Sequence, residues 1–363
     1  MNSKCIYISF FLVGCLVALV LHIYIFSPIS PQILVLPPAY LADFHHDFNI
    51  DLQKVIKIGE GKVKDPEDVC VDKDGTLYTA SRDGWISKMY KHGSLEPWKK
   101  VNSTTLLGMT ATTAGGIIIC DTEQGLLKVD DHGVTTLLSD FNGSKLWFAD
   151  DIIESKGGSL YFSIASTKFG LHNWYLDLLE ARPNGLLLKY NPQTKVTSKL
   201  IDNLYFANGV ALSIDETYLV VCETFKFRCL KYWLQGDLQG KTEVFIDNLP
   251  GAPDNINLAP DGSFWISLIQ ITTKEMKFVH SSKIAKHIIA TFPSLLKIVN
   301  GSHKKATVIK VSEDGKLLKR LDDPQGKIIS FITSAVEYEG NLYLGSLNSN
   351  FVGKLSLNTH SSD

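Results

Sequence analysis

PEDVCVDKDGTLYTASRDGWISKM, from Pro66 to Met89, decides the fold. An acidic pair opens it. A short apolar run follows, then the turn Asp74-Gly75, an aromatic-bearing run, and a third run ending in a lysine-hydrophobic step. Asp-Gly between alternating apolar runs marks a tight antiparallel hairpin, because glycine supplies the positive φ such turns need. The same order returns as LGMTATTAGGIIICDTEQGLLKV from Leu107, and as FADDIIESKGGSLYFSIAST from Phe148, closed later by GLLLKYNP. It returns again as FANGVALSIDETYLVVCETFKFRCLKYW from Phe206, PDNINLAPDGSFWISLI from Pro253 and ITSAVEYEGNLYLGSLNSNFVGKLSL from Ile332.

Sheet-forming repeats of roughly 40 residues are the signature of a β-propeller. One small sheet cannot bury both of its faces, so the copies pack around an axis. Six copies predict an all-β, six-bladed propeller. Lys54-Val-Ile-Lys-Ile, ahead of the first copy, is expected to add the outer strand of the last blade and close the ring. Two insertions interrupt the period. WYLDLLE, Trp174 to Glu180, reads as a short helix, and Lys274 to Val299 contains an amphipathic stretch that either packs on the rim or faces a membrane.

The N-terminus is of another kind. Cys5 to Phe26 reads CIYISFFLVGCLVALVLHIYIF, long enough as a helix to cross a bilayer. The Ser-Pro-Ile-Ser-Pro that follows is a poor signal-peptidase site, so an uncleaved signal anchor is expected. Lys4 precedes the run and no Lys or Arg follows until Lys54, which puts the N-terminus in the cytosol and the bulk in the lumen. The expected organisation is an anchor over 1–28, a linker over 29–51, the propeller over 52–357 and a tail over 358–363. The sequons at Asn102, Asn142 and Asn300 fit a lumenal glycoprotein, and with the anchor they suit the endoplasmic reticulum, the vacuole or the plasma membrane. Of six cysteines, Cys222 and Cys229 flank ETFKFR and could meet across a strand turn as a disulfide; the alternative is that they, Cys70 and Cys120 are small core residues. A net charge of −2 gives no reason to expect a nucleic-acid partner.

In a propeller the innermost strands start at one channel mouth. The residues there are Glu67, Leu107-Gly108, Asp150 or Asp151, Asn208, Asp254-Asn255 and Thr333-Ser334. Four of these positions carry hard oxygen donors, the set suited to Ca²⁺ or Mg²⁺, and three carboxylates gathered without a cation would repel one another. The competing reading is that Asp, Asn and Glu at strand starts are turn formers.

PEDVCVDKDGTLYTASRDGWI, LWFADDIIE, FANGVALS, VVCETFKFRCLKYWL, GAPDNINLAPDGSFWISL and YLGSLNSNFVGKL together resemble the plant strictosidine synthase-like proteins. The wider group includes strictosidine synthase, adipocyte plasma membrane-associated protein, paraoxonases, gluconolactonase-type lactonases and squid-type phosphotriesterases. The resemblance implies a six-bladed propeller with a central Ca²⁺ held by Glu67, Asp150, Asn208 and Asp254, with Asn255 as a further candidate. Asp150 departs from the usual Asn. Thr333 stands where strictosidine synthase keeps its catalytic Glu, and a hydroxyl cannot serve as that base; amine–aldehyde condensation is therefore disfavoured. Leu107 replaces the His of paraoxonases. What remains is a calcium-dependent hydrolase of small-molecule esters or lactones with Asp254 as catalytic base or nucleophile. The alternative is a non-catalytic scaffold with a structural ion. His172 lies near the first insertion and carries no assigned role.

Overall fold

A computed structural model describes residues 3–35, 49–90, 93–271, 274–296 and 305–357. The chain divides into two units. One comprises Met1–Leu36, Tyr175–Arg182 and Thr273–Ser302; the other comprises Pro37–Trp174, Pro183–Thr272 and His303–Asp363.

The second unit is the six-bladed propeller. Each blade is a four-stranded antiparallel sheet. Blade 1 runs Val69–Val71, Leu77–Ala80, Trp85–Met89 and Leu95–Lys100; blade 2 runs Leu106–Ala111, Ile117–Asp121, Gly125–Asp130 and Gly133–Leu138. Blade 3 runs Ala149–Glu154, Leu160–Ile164, Gly185–Asn191 and Val196–Leu204; blade 4 runs Ala207–Leu212, Tyr218–Glu223, Arg228–Trp233 and Thr242–Ile246. Blade 5 runs Gly251–Leu258, Phe264–Ile271, Ala306–Val311 and Leu317–Asp323. Blade 6 takes Ile332–Tyr338, Asn341–Ser346 and Val352–Ser356, and its fourth strand is Ile56–Ile58, paired antiparallel with Val352–Lys354. The ring thus closes with a strand from its own start, as the Lys54–Ile58 segment predicted, and that strand covers the outer edge of Val352–Ser356.

The blades are held by apolar faces packed sheet on sheet. Between blades 1 and 2, Ile86, Ile117, Ile119 and Val129 are fully buried, with Cys70 among them; between blades 3 and 4, Leu187, Leu219 and Val221 are. Burying a side chain of this size stabilises by about 1.5–3 kcal/mol. The predicted turn glycines Gly75 and Gly262 both have positive φ, +79° and +85°. Cys222 pairs across the hairpin with Cys229, and the two form a disulfide; Cys70 and Cys120 are free and buried. Asn102 and Asn142 are exposed, while Asn300 lies outside the described residues, as does the 358–363 tail. The third and fourth strands of blade 5 were not anticipated, because the 274–304 insertion separates them from the hairpin that announces the blade.

Among the described residues, the first unit holds four α-helices: α1 (Ser3–Phe26), α2 (Trp174–Glu180, from its second residue), α3 (Lys274–Ser281) and α4 (Lys283–Thr291). Tyr7–Phe26 of α1 is apolar enough to cross a membrane and largely unburied. Within the unit, the segment after α1 is stitched to the other helices. Gln32 N donates to Glu180 O at 2.9 Å, Arg182 Nε to Ser30 O at 2.8 Å and Leu34 N to His280 O at 3.1 Å. Ser282 caps α4 by accepting from Ala285 N at 3.2 Å.

Candidate metal centre and binding cavity

A bulge sets the site. In four of the inner strands the ladder skips: Ala149 pairs Ile164 and Ile152 pairs Phe162, so Asp150 and Asp151 together oppose one residue. The same slip frees Leu107-Gly108, Asn208-Gly209 and Asp254-Asn255, and a smaller one frees Thr333. Residues in a bulge leave the alternation of the strand. Both members of each pair therefore serve the axis, one above the other.

The upper members line one cavity of roughly 390 Å³: Glu67, Leu107, Asp150, Asn208 and Asp254. All four oxygen-bearing side chains are buried, with Glu67 3%, Asp150 5%, Asn208 3% and Asp254 6% exposed. Asp68 and Asp151, the neighbours of Glu67 and Asp150, are spent on structure. Asp68 accepts from Met109 N of blade 2 at 2.9 Å and from Ser334 Oγ of blade 6 at 2.5 Å. Asp151 accepts from Val210 N of blade 4 at 2.7 Å and from Ile152 N at 2.8 Å. Of the pair Asp150 or Asp151, Asp150 faces the cavity. Gly108 and Gly209 are small because the walls touch here: a Cβ on Gly108 would meet Asp151 Oδ1 at 2.4 Å, and one on Gly209 would meet Ile256 N at 2.4 Å.

Several polar atoms at this mouth have no partner among the described residues. Asn208 Nδ2 donates to Asp254 Oδ1, leaving Asn208 Oδ1 buried and unpartnered. Asn255 Nδ2 donates to Glu67 Oε1 at 2.9 Å, leaving Glu67 Oε2 and Asn255 Oδ1 in the same state. Buried acceptors without donors cost about 1–3 kcal/mol each, more if charged. Burial above all, then the charges of Asp68, Asp254 and Asp150, pushes the Glu67 carboxyl well above the usual range. Burial and then Asp254 do the same to Asp150. Burial pushes Asp254 to about 7 against the Asn208 hydrogen bond, and Asp68 to about 6 against its Ser334 bond. Among the described residues no three His, Cys, Asp or Glu side chains close up into a cage as placed. The donor set is instead mixed, carboxylate with carboxamide. Unpartnered oxygens facing mutually repelling carboxylates fit a hard divalent cation.

The rest of the cavity is apolar. Phe148, Phe206 and Phe331 line it, and each sits at positive φ, +55°, +61° and +50°, two residues before a mouth position. Large side chains in the left-handed region are strained and cluster at functional sites. The Phe148 and Phe206 ring centroids lie 5.2 Å apart, and those of Phe206 and Phe225 4.4 Å, giving an aromatic wall. His172 and Trp174 line the rim. Thr333 does not reach the cavity; its hydroxyl donates to Glu67 O at 2.5 Å and ties blade 6 to blade 1. Arg82 lines the cavity and escaped the sequence reading, since an Arg in an Asp-Gly turn reads as surface polarity in any hairpin.

The strictosidine synthase family is matched at residues 150–237, and the strictosidine synthase-like N-terminal family at 45–89. The chain is 35% identical over 312 residues to Protein STRICTOSIDINE SYNTHASE-LIKE 4 of Arabidopsis thaliana, covering 83% of this chain and 81% of that one. It belongs to the strictosidine synthase-like family. Adipocyte plasma membrane-associated protein of Bos taurus is 30% identical over 355 residues, with 91% and 85% covered. Among solved structures, a gluconolactonase of Xanthomonas campestris superposes with a TM-score of 0.60 at 14% identity, covering 91% of this chain and 96% of that one. A calcium-binding protein, regucalcin, of Agrobacterium tumefaciens does so at 0.55 and 14%, covering 82% and 92%. At such identities these two likenesses show the fold alone.

Proposed function

We propose that this strictosidine synthase-like propeller is a calcium-dependent hydrolase of esters or lactones, anchored by α1 with the propeller on the lumenal side of the endoplasmic reticulum or vacuole. The reading rests chiefly on one observation: Glu67, Asp150, Asn208 and Asp254 bring oxygen donors, two of them unpartnered, to the floor of an apolar cavity. Those four residues would hold the ion. A Ca²⁺ there supplies polarisation of a carbonyl oxygen and a lowered pKa for water. The chain's own part is to position and to move a proton. Asp254, oriented by the Asn208 amide, would accept a proton from water at the ion. The wall of Phe148, Phe206 and Phe225 binds the acyl or alkyl body and excludes bulk water from the floor. The gluconolactonase among its structural neighbours supports a lactone as substrate, and regucalcin supports Ca²⁺ as the ion. The membrane reading draws support from the apolar length of Tyr7–Phe26 and from the adipocyte relative's name.

The test is turnover of phenyl acetate and of γ- and δ-lactones by the full chain in detergent, with calcium or with EDTA. Hydrolysis that needs calcium and disappears in Asp254→Ala supports the reading. Activity indifferent to both changes overturns it, and calcium uptake with no turnover of any ester or lactone favours a scaffold with a structural ion.

A further inference from the structure

Arg82 is the one side chain with a permanent positive charge among the described residues lining the cavity. It sits in the Ser81–Gly84 turn of blade 1, and that turn is fixed on every side. Ser81 N donates to Trp85 O at 2.8 Å, and Arg82 N donates to Lys64 O at 2.8 Å. Gly84, at φ +85°, is pressed so closely on the next strand that a Cβ would meet Val101 O at 2.3 Å. The backbone thus fixes the Cα from which the Arg82 side chain reaches the cavity. The side chain makes no hydrogen bond or ion pair among the described residues, and Nη1 is buried without a partner. A desolvated guanidinium nitrogen lacking an acceptor is costly. Neutralising the acidic floor would be the simple use for Arg82. Its charge does act on Glu67, Asp150 and Asp254, but it makes no hydrogen bond or ion pair with them, and an ion held by those residues would take over that neutralising role and leave Nη1 still without an acceptor.

The ring's topology says what else meets it. Blade 4 lies opposite blade 1 in the six-membered ring, and Phe206 and Phe225 of blade 4 line the same cavity as Arg82. A ligand filling the cavity meets aromatic rings, the oxygen-donor floor and a guanidinium with one buried, unpartnered nitrogen. We infer that Arg82 recognises a carboxylate, and that the substrates of this site are compact molecules with an apolar or aromatic body and a carboxylate at the far end. This rests on reading the cavity as the substrate site, not on the hydrolytic step itself.

The test is calorimetric titration of the full chain in detergent, saturated with calcium, using 4-phenylbutyrate and its neutral amide, 4-phenylbutyramide. A charge-assisted, paired contact predicts that the carboxylate binds about tenfold more tightly than the amide or better. Arg82→Gln should erase that difference, and Arg82→Lys should keep part of it. Equal binding of the two probes by the unaltered protein overturns the inference, whether or not Arg82→Gln folds. So does a preference that survives Arg82→Gln, since the carboxylate would then be bound by the ion. Failure of the two proposals looks different: an Arg82-dependent preference without turnover of any ester sinks the hydrolase alone, and calcium-dependent turnover of neutral esters without the preference sinks this inference alone.

Discussion

Asn208 gives its amide nitrogen to the Asp254 carboxylate across the blade 4–blade 5 boundary, and its carbonyl oxygen is left buried with nothing to accept from. A carboxamide donating to one neighbour is thereby oriented to offer its oxygen to a third party. With Glu67 Oε2 in the same condition, the floor of the cavity carries buried acceptors without a donor among the described residues, as the proposed ion site requires.

The first prediction concerns pH. Without a divalent ion, Asp254 titrates near about 7 and Asp68 near about 6 in the folded chain, against ordinary values of 3.8. The folded state then binds more protons than the unfolded one between about pH 4 and about pH 7, so stability must fall as pH rises through that window. The melting temperature in EDTA should decline across it, and excess calcium should abolish the decline at its upper end. A melting temperature in EDTA that rises over the window would contradict the account.

Asp150→Asn tests the charge at the floor. It removes one of three mutually repelling carboxylates while keeping an oxygen donor. Calcium affinity should drop roughly tenfold, while the ion-free protein should become more stable near neutral pH. Calcium titration and thermal melts in EDTA read the two effects separately.

The lower layer makes a structural prediction. Asp151→Ala removes the acceptor of Val210 N and Ile152 N at the blade 3–blade 4 boundary. Stranding two buried amides should cost about 2–4 kcal/mol, measured as a lower urea midpoint. Calcium should still bind, because Asp151 does not line the cavity.

Gly345→Ala couples the layers. A Cβ there would sit 2.2 Å from Glu67 O, so Glu67 must move with its backbone. Both stability and calcium affinity should fall, although residue 345 touches no ion. Unchanged affinity in a folded Gly345→Ala variant would remove Glu67 from the proposed set.

The fold was legible because its punctuation is local. Asp74-Gly75 and Asp261-Gly262 declare hairpins through backbone conformation alone, and the Val-, Ile- and Leu-rich runs between them declare buried strands. The register of the repeats brings Glu67, Asn208, Asp254 and one of Asp150-Asp151 to the mouth together. Which member of Asp150-Asp151 faces the cavity was not legible from register, since a bulge suspends the alternation that would assign a face; the family resemblance alone pointed to Asp150. Nor were the left-handed Phe148, Phe206 and Phe331, because no local pattern marks an aromatic residue for positive φ. The role of Arg82 depends on curvature of the whole ring. Strands Ala306–Val311 and Leu317–Asp323 were hidden by the helices inserted before them.

Calcium titration of the full chain in detergent, against Glu67→Gln and Asn208→Ala, tests the central claim that these residues form an ion site. The account predicts saturable uptake by the unaltered protein and loss of that uptake in both variants, each still folded by circular dichroism. Absence of calcium uptake by the unaltered chain, or uptake that persists undiminished in both variants, would contradict it.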